Sequence, residues 1–221
     1  MFELPIFPLN LVLMPLQPLA LHIFEDRYKQ MISHCIATDT PFGVVLLEQG
    51  LAEEGRSNTP AAPHLIGTTA HITQIQELPE GRMNIIVVGR DRFRVHEYQH
   101  DQPYLVGVVE REPMMHAGVV IPPVSMRGLS QSVMRYLKIL EQTGRIQAST
   151  RELPSDPAAL AFLASALLHD ISALQRQTLL ESDDLAVMLE RLRVMYRREI
   201  VLLQAMLSVP DDGEITPFSP N

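Results

Sequence analysis

Cysteine occurs once in the 221 residues, as Cys35, and lysine only as Lys29 and Lys138. A single thiol excludes an intramolecular disulfide and suits a reducing compartment. Cys35 falls in the apolar phase of an expected helix and reads as an inert core thiol, not a nucleophile. The shortage of lysine accompanies a formal net charge of −8. Such a chain is poorly suited to a phosphate backbone, which is gripped by clustered Lys and Arg. No apolar run approaches the roughly 20 residues that a membrane helix needs. The apolar N-terminus has no positive leading segment, carries Glu3 and is broken by Pro5, Pro8, Pro15 and Pro18. That pattern is not an export signal. A cytoplasmic protein that stays off membranes is expected.

What is present is apolar. Hydrophobic residues make up 46% of the chain, enough for the core of one large or two small domains. In Leu4-Pro5-Ile6-Phe7-Pro8-Leu9 and onward to Phe24, prolines punctuate the apolar residues. Proline has no backbone donor, so short kinked edge strands are expected there, not a central strand. Tyr28, Met31, Ile32, Cys35 and Ile36 have helical spacing, which predicts a helix over 25–37. Strand patterns follow over 42–47, 67–77, 83–88, 92–96 and 104–109, with a polar loop at 50–63 and a turn at Leu78-Pro79-Glu80-Gly81. Six or seven mostly antiparallel strands in a small sheet or barrel are predicted.

The second half is helical. An apolar connector, Met114 to Pro123, leads to a helix from Ser125 to about Thr143, which Gly144 can end. Pro157 stands near the first turn of another helix, where its missing N–H is harmless. A final helix over 183–207 carries the stripe Leu185, Met188, Leu189, Leu192, Met195, Tyr196, Leu203 and Leu207. The expected division is a β-rich subdomain over 1–115, a helical bundle over 116–210 and an irregular tail over 211–221.

Catalytic patterns are weak. Gly50 to Ser57 has the glycine spacing of a phosphate-binding loop, but Arg56 replaces the lysine and Glu53 and Glu54 oppose an anion. No serine motif accompanies Lys29 or Lys138. His64, His71, His96, His100 and His116 lack partners at metal-ligand spacing. Arg90, Asp91, Arg92 and Arg94 read as a solvated strand face with one ion pair. The arginines of the last helix, interleaved with Glu190 and Glu199, read as its wet side. The connector residues Met114, Met115, Val119, Val120 and Ile121 are the best local candidates for an adaptable peptide-binding surface.

Several ordered motifs resemble the substrate-binding domain found at the N-terminus of the ATP-dependent protease Lon. They are the proline-punctuated opening, Ile66-Gly67-Thr68-Thr69-Ala70-His71-Ile72, Leu78-Pro79-Glu80-Gly81-Arg82 and Val88 to Val95. Pro103 to Glu110, Leu160 to Leu167 and Gln175 to Glu181 continue the series. The resemblance implies an α+β fold, with an N-terminal PUA-like antiparallel β pseudo-barrel carrying one helix, followed by a C-terminal α-helical bundle. It implies a free-standing, non-enzymatic recognition module without ATPase or peptidase modules. Such a module would bind unfolded or exposed apolar polypeptide as an adaptor, without a cofactor or metal. A protease or another protein would be a further partner. The PUA-like architecture also raises RNA binding as an alternative, which the charge opposes.

Overall fold

The computed structural model describes residues 1–47, 63–113, 121, 123–146 and 152–207. The phosphate-loop-like stretch at 50–57 and connector residues Met114, Met115, Val119 and Val120 lie outside the described residues.

Among the described residues six strands and five α-helices follow one another: β1 (Phe2–Leu9), β2 (Pro18–Ile23), α1 (Asp26–Thr38), β3 (Phe42–Leu47), β4 (Pro63–Glu77), β5 (Met83–Gln99), β6 (Leu105–Arg111), α2 (Pro123–Gln142), α3 (Pro157–Leu167), α4 (Ala173–Leu180) and α5 (Leu185–Leu207). The sheet order is β2-β5-β4-β3-β1-β6, and β5 also pairs with β6, so five strands close into a ring. β1 and β3 are parallel, which makes the sheet mixed and not purely antiparallel.

The prolines of β1 do not confine it to an edge, contrary to the expectation from their missing donors. Its first half, Phe2 to Ile6, pairs only with β6, and its second half, Ile6 to Leu9, only with β3. Each half therefore keeps one unpaired flank, which accommodates Pro5 and Pro8 within an inner strand. β2 is a true edge and starts on Pro18.

Two glycines allow other backbone to approach β4 and β5 closely. A Cβ on Gly67 would strike the Val44 carbonyl, and one on Gly89 the Met14 carbonyl. Close backbone approach, not positive φ, explains both. At the β4–β5 turn it is Glu80 and Gly81 that have positive φ, 64° and 68°.

Three buried clusters fill the molecule. One lies between α1 and the sheet, around Tyr28, Met31, Ile32, Cys35, Phe42 and Val87. A second, smaller one joins Leu4, Ile6, Val45, Phe93, Val95 and Val109. The third unites the helices and reaches the β-rich half through Val12 and Met14 of the β1–β2 connection, Leu46 of β3 and Ile66 of β4. At its centre the Tyr136 and Tyr196 rings meet edge to face, 5.3 Å apart, and the Tyr196 hydroxyl donates to the Ala164 carbonyl at 2.7 Å.

The caps follow the sequence signals. Asp156 accepts from the Ala159 N–H ahead of Pro157 in α3. Gly144, at φ 69°, turns the chain out of α2. Ser125 lies inside α2, which starts two residues earlier at Pro123.

Candidate functional site

The helical hairpin α4–α5 presents a concave apolar surface, and local chemistry fixes its shape. Ser172 and Gln175 form a capping box at the start of α4. The Asp184 carboxylate accepts from the Ala186 and Val187 N–H groups at 2.7 and 3.1 Å, which caps α5. The turn between them is fastened to the sheet. Arg92, 4% exposed, donates to the Ser182 carbonyl at 2.5 Å and to Asp183 at 3.2 Å. Burial lowers the Arg92 pKa and the Asp183 carboxylate opposes that shift. Gln177 donates to the Ile66 carbonyl at 3.0 Å and to Glu181 at 2.8 Å, and Glu181 meets His64 at 3.2 Å.

Between α4 and α5 lies a cleft of about 500 Å³, lined by Gln175, Thr178, Leu179, Val187, Val194 and Met195, with Glu190 and Arg191 completing the lining. Leu179 is buried, whereas Val187 and Val194 are 42% and 55% exposed. Val201, seven residues further along α5, is 61% exposed, and Leu174 on α4 is 62% exposed. α5 thus has a second apolar line, Val187, Val194 and Val201, besides the stripe that faces the core. Such a surface matches aliphatic or aromatic side chains in its chemistry.

The sequence-based candidates are placed differently. Ile121, the one described member of the connector set, is half-buried against the helical core. Cys35 is buried, its Sγ lies 3.9 Å from the Pro41 carbonyl, and burial pushes its thiol up to about 11. That is the environment of an inert thiol. His96 pairs across the strands with Glu110 at 3.1 Å. Among the described residues, no group of three His, Cys, Asp or Glu side chains is placed to hold a metal ion.

The arginine-rich strand is only partly a solvated face. Arg90 is exposed and Arg94 forms a two-pronged pair with Glu112, but Arg92 is buried as the seam to the helices. Its partners in the α4–α5 turn lie 90 and 91 residues away in sequence, beyond the reach of a local pattern. The apolar cleft was likewise missed, although the valine spacing on α5 carried a signal. The Leu207 assigned to the core stripe is 52% exposed.

A closed ring of strands with a helical hairpin braced against it is a scaffold that holds an apolar concavity open, and this architecture has known relatives. The family model for the substrate-binding domain of ATP-dependent protease La (LON) matches residues 3–198, and the chain belongs to that family. A solved Lon N-terminal domain protein from Xanthomonas campestris superposes with a TM-score of 0.65 at 27% identity, covering 87% of this chain and 97% of that one. The N-terminal domain of a Mycobacterium avium complex Lon protease shares the fold, with a TM-score of 0.62 at 16% identity, over 89% of this chain and 98% of that one. Lon protease 2 of Herpetosiphon aurantiacus is 26% identical over 91% of this chain and 24% of its own length. The Lon protease of Syntrophus aciditrophicus is 23% identical over 91% of this chain and 26% of its own. The chain therefore spans about a quarter of the length of these curated relatives. Among the described residues no helix is long and apolar enough to cross a membrane.

Proposed function

We propose that this chain is a non-catalytic polypeptide-recognition module of the cytoplasm that binds unfolded or exposed apolar segments and acts as an adaptor. Membership of a substrate-binding family supports recognition. The observation that carries the apolar specificity is the α4–α5 cleft, with Val187 and Val194 exposed above a buried Leu179.

Each aliphatic side chain seated there gains about 1.5–3 kcal/mol from burial. Three or four such anchors, set against the cost of ordering an extended segment, correspond to affinities of roughly micromolar order. Weak, adaptable binding suits a module that samples many clients. The ring is read as a PUA-like pseudo-barrel and α2–α5 as a helical bundle, meeting near residue 115. The connector Met114, Met115, Val119, Val120 and Ile121 at that junction is a second part of the proposed surface.

The test is titration with a model protein in unfolded and folded form. Preferential binding of the unfolded form at about 30 µM or below is expected. Val194→Asp should weaken it about tenfold by placing a charge in the apolar cleft. Equal binding of both forms, or no effect of Val194→Asp, would refute the assignment.

A further inference from the structure

A different cleft lies on the opposite flank of α5, against α2, and its chemistry is unlike that of the chain as a whole. It encloses about 500 Å³, and Arg135, Arg193 and Arg197 all line it. The protein carries a formal net charge of −8. No carboxylate lines the cleft among the described residues, and Glu190, 57% exposed, lies outside that lining at 3.5 Å from Arg193. An exposed pair of that length contributes little and yields to a better acceptor. Among the described residues Arg135 donates to the Gln204 amide oxygen, at 3.3 Å. The Arg193 Nε is buried without a hydrogen-bond partner among the described residues. Gly128 of α2 faces the Arg193 stem across the cleft. Ile200 is a buried part of the lining.

We infer that the α2–α5 cleft binds an acidic polypeptide segment in extended conformation, with its carboxylates on Arg193, Arg197 and Arg135. Four residues of helix separate Arg193 from Arg197, a rise of about 6 Å. Alternate side chains of an extended segment are spaced by nearly the same distance, about 6.6 Å. Carboxylates at every second position therefore meet successive guanidiniums. Each guanidinium fork matches a carboxylate in two-pronged geometry, which lysine cannot reproduce. From Arg193 to Gln204 the cleft runs about 16 Å, the length of roughly five extended residues. Among the described residues no aromatic side chain lines it. A single-stranded nucleic acid site is built on aromatic stacking, so the cleft favours protein over RNA.

This inference is independent of the apolar reading, because the two clefts lie on different flanks of α5. The experiment is fluorescence anisotropy on the full chain. The probe is a labelled peptide of about ten residues alternating Glu and Ala, with a Gln-for-Glu peptide and oligouridylate as comparisons. The Glu peptide should bind, and its affinity should fall about tenfold between roughly 50 and 300 mM salt. Arg193→Gln combined with Arg197→Gln should weaken it about tenfold or more. A charge-matched pair outside the cleft, Arg127→Gln with Arg198→Gln, should leave affinity within about twofold. Val194→Asp should also leave peptide binding unchanged, which separates failure here from failure of the apolar cleft. Thermal unfolding of each variant near the wild-type temperature shows that lost binding is not lost folding.

Equal binding of the Glu and Gln peptides, or of the double variant and wild type, overturns the inference. So does tighter, arginine-dependent binding of oligouridylate. A chain ending at Leu207 that binds the Glu peptide about tenfold more tightly would reassign the cleft to Asp211, Asp212 and Glu214 of the same chain, and would overturn a separate partner.

Discussion

The strands and the helices dispose of their apolar side chains differently. In the β-rich half the large exposed apolar residues are scattered, in connections such as Leu16 and Phe24 or at most two to an element, as Ile36 on α1 and Leu65 and Ile75 on β4. On α5 six of them, Val187, Val194, Val201, Leu202, Met206 and Leu207, share one helix. Singly scattered apolar residues are ordinary surface, whereas a line of them marks a contact face. A closed ring has an inside that absorbs alternate side chains of every strand. A 23-residue helix has one core-facing stripe, and apolar residues outside it stay in solvent. The ring thus takes its apolar residues inside, whereas the outer faces of α5 leave theirs in solvent, where recognition is proposed.

The sharpest way to break that contrast is at the ring. Gly67→Ala drives a Cβ into the Val44 carbonyl and the Phe93 ring, neither of which can retreat. A loss of about 3 kcal/mol is expected, read as a fall in the urea midpoint. A neutral outcome would mean that the ring is not tightly closed there.

Next comes the seam between the two regions. Arg92→Met leaves the Ser182 carbonyl without its buried donor. The expected loss is about 2 kcal/mol. Two separate unfolding transitions in this variant would show that the ring and the helices fold independently once unfastened.

Alkaline pH probes the α1 side of the ring. Burial raises the Cys35 thiol from 9.0 to about 11. The folded pKa lies above the unfolded one, so this contribution is intact below about pH 9 and is lost as pH rises towards 11. The loss reaches roughly 2 kcal/mol. Tyr98 and Tyr196, whose pKa values burial also raises, add to the loss at higher pH. Cys35→Ala should remove the part of the slope that begins near pH 9, measured by urea unfolding across the range.

The smallest effect on stability is expected on the outer face of α5. Val194→Asp touches a residue 55% exposed and should change stability by less than about 0.5 kcal/mol. Under the proposed function its effect falls on binding of unfolded protein. A large destabilisation would place Val194 in the core and remove the contrast between ring and helix.

Much of the fold was legible from periodicity. The spacing of Tyr28, Met31, Ile32 and Cys35 located α1 to within a residue at each end. Pro157 and Gly144 marked a helix start and a helix end where the structure has them. The early prolines misled, because the donor rule holds for a strand flanked on both sides along its length. β1 changes neighbour at Ile6, which only the pairing reveals. The candidate site was less legible. Its cap residues Ser172 and Gln175 and the valines of α5 are local signals, but their meeting in one concavity is not. Arg92 was the hardest residue to read, since a charge on an alternating strand is ordinarily wet.

By itself the sequence determined where helices and strands form, since periodicity, caps and turn residues act over a few positions. It also determined the family, through the order of its motifs. The tertiary structure decided which way each charge and each surplus valine faces. It buried Arg92 against Ser182 and Asp183, left Val187 and Val194 in a cleft, and gathered Arg135 with Arg193 and Arg197. Those outcomes depend on contacts between elements tens of residues apart, and no local pattern encodes them.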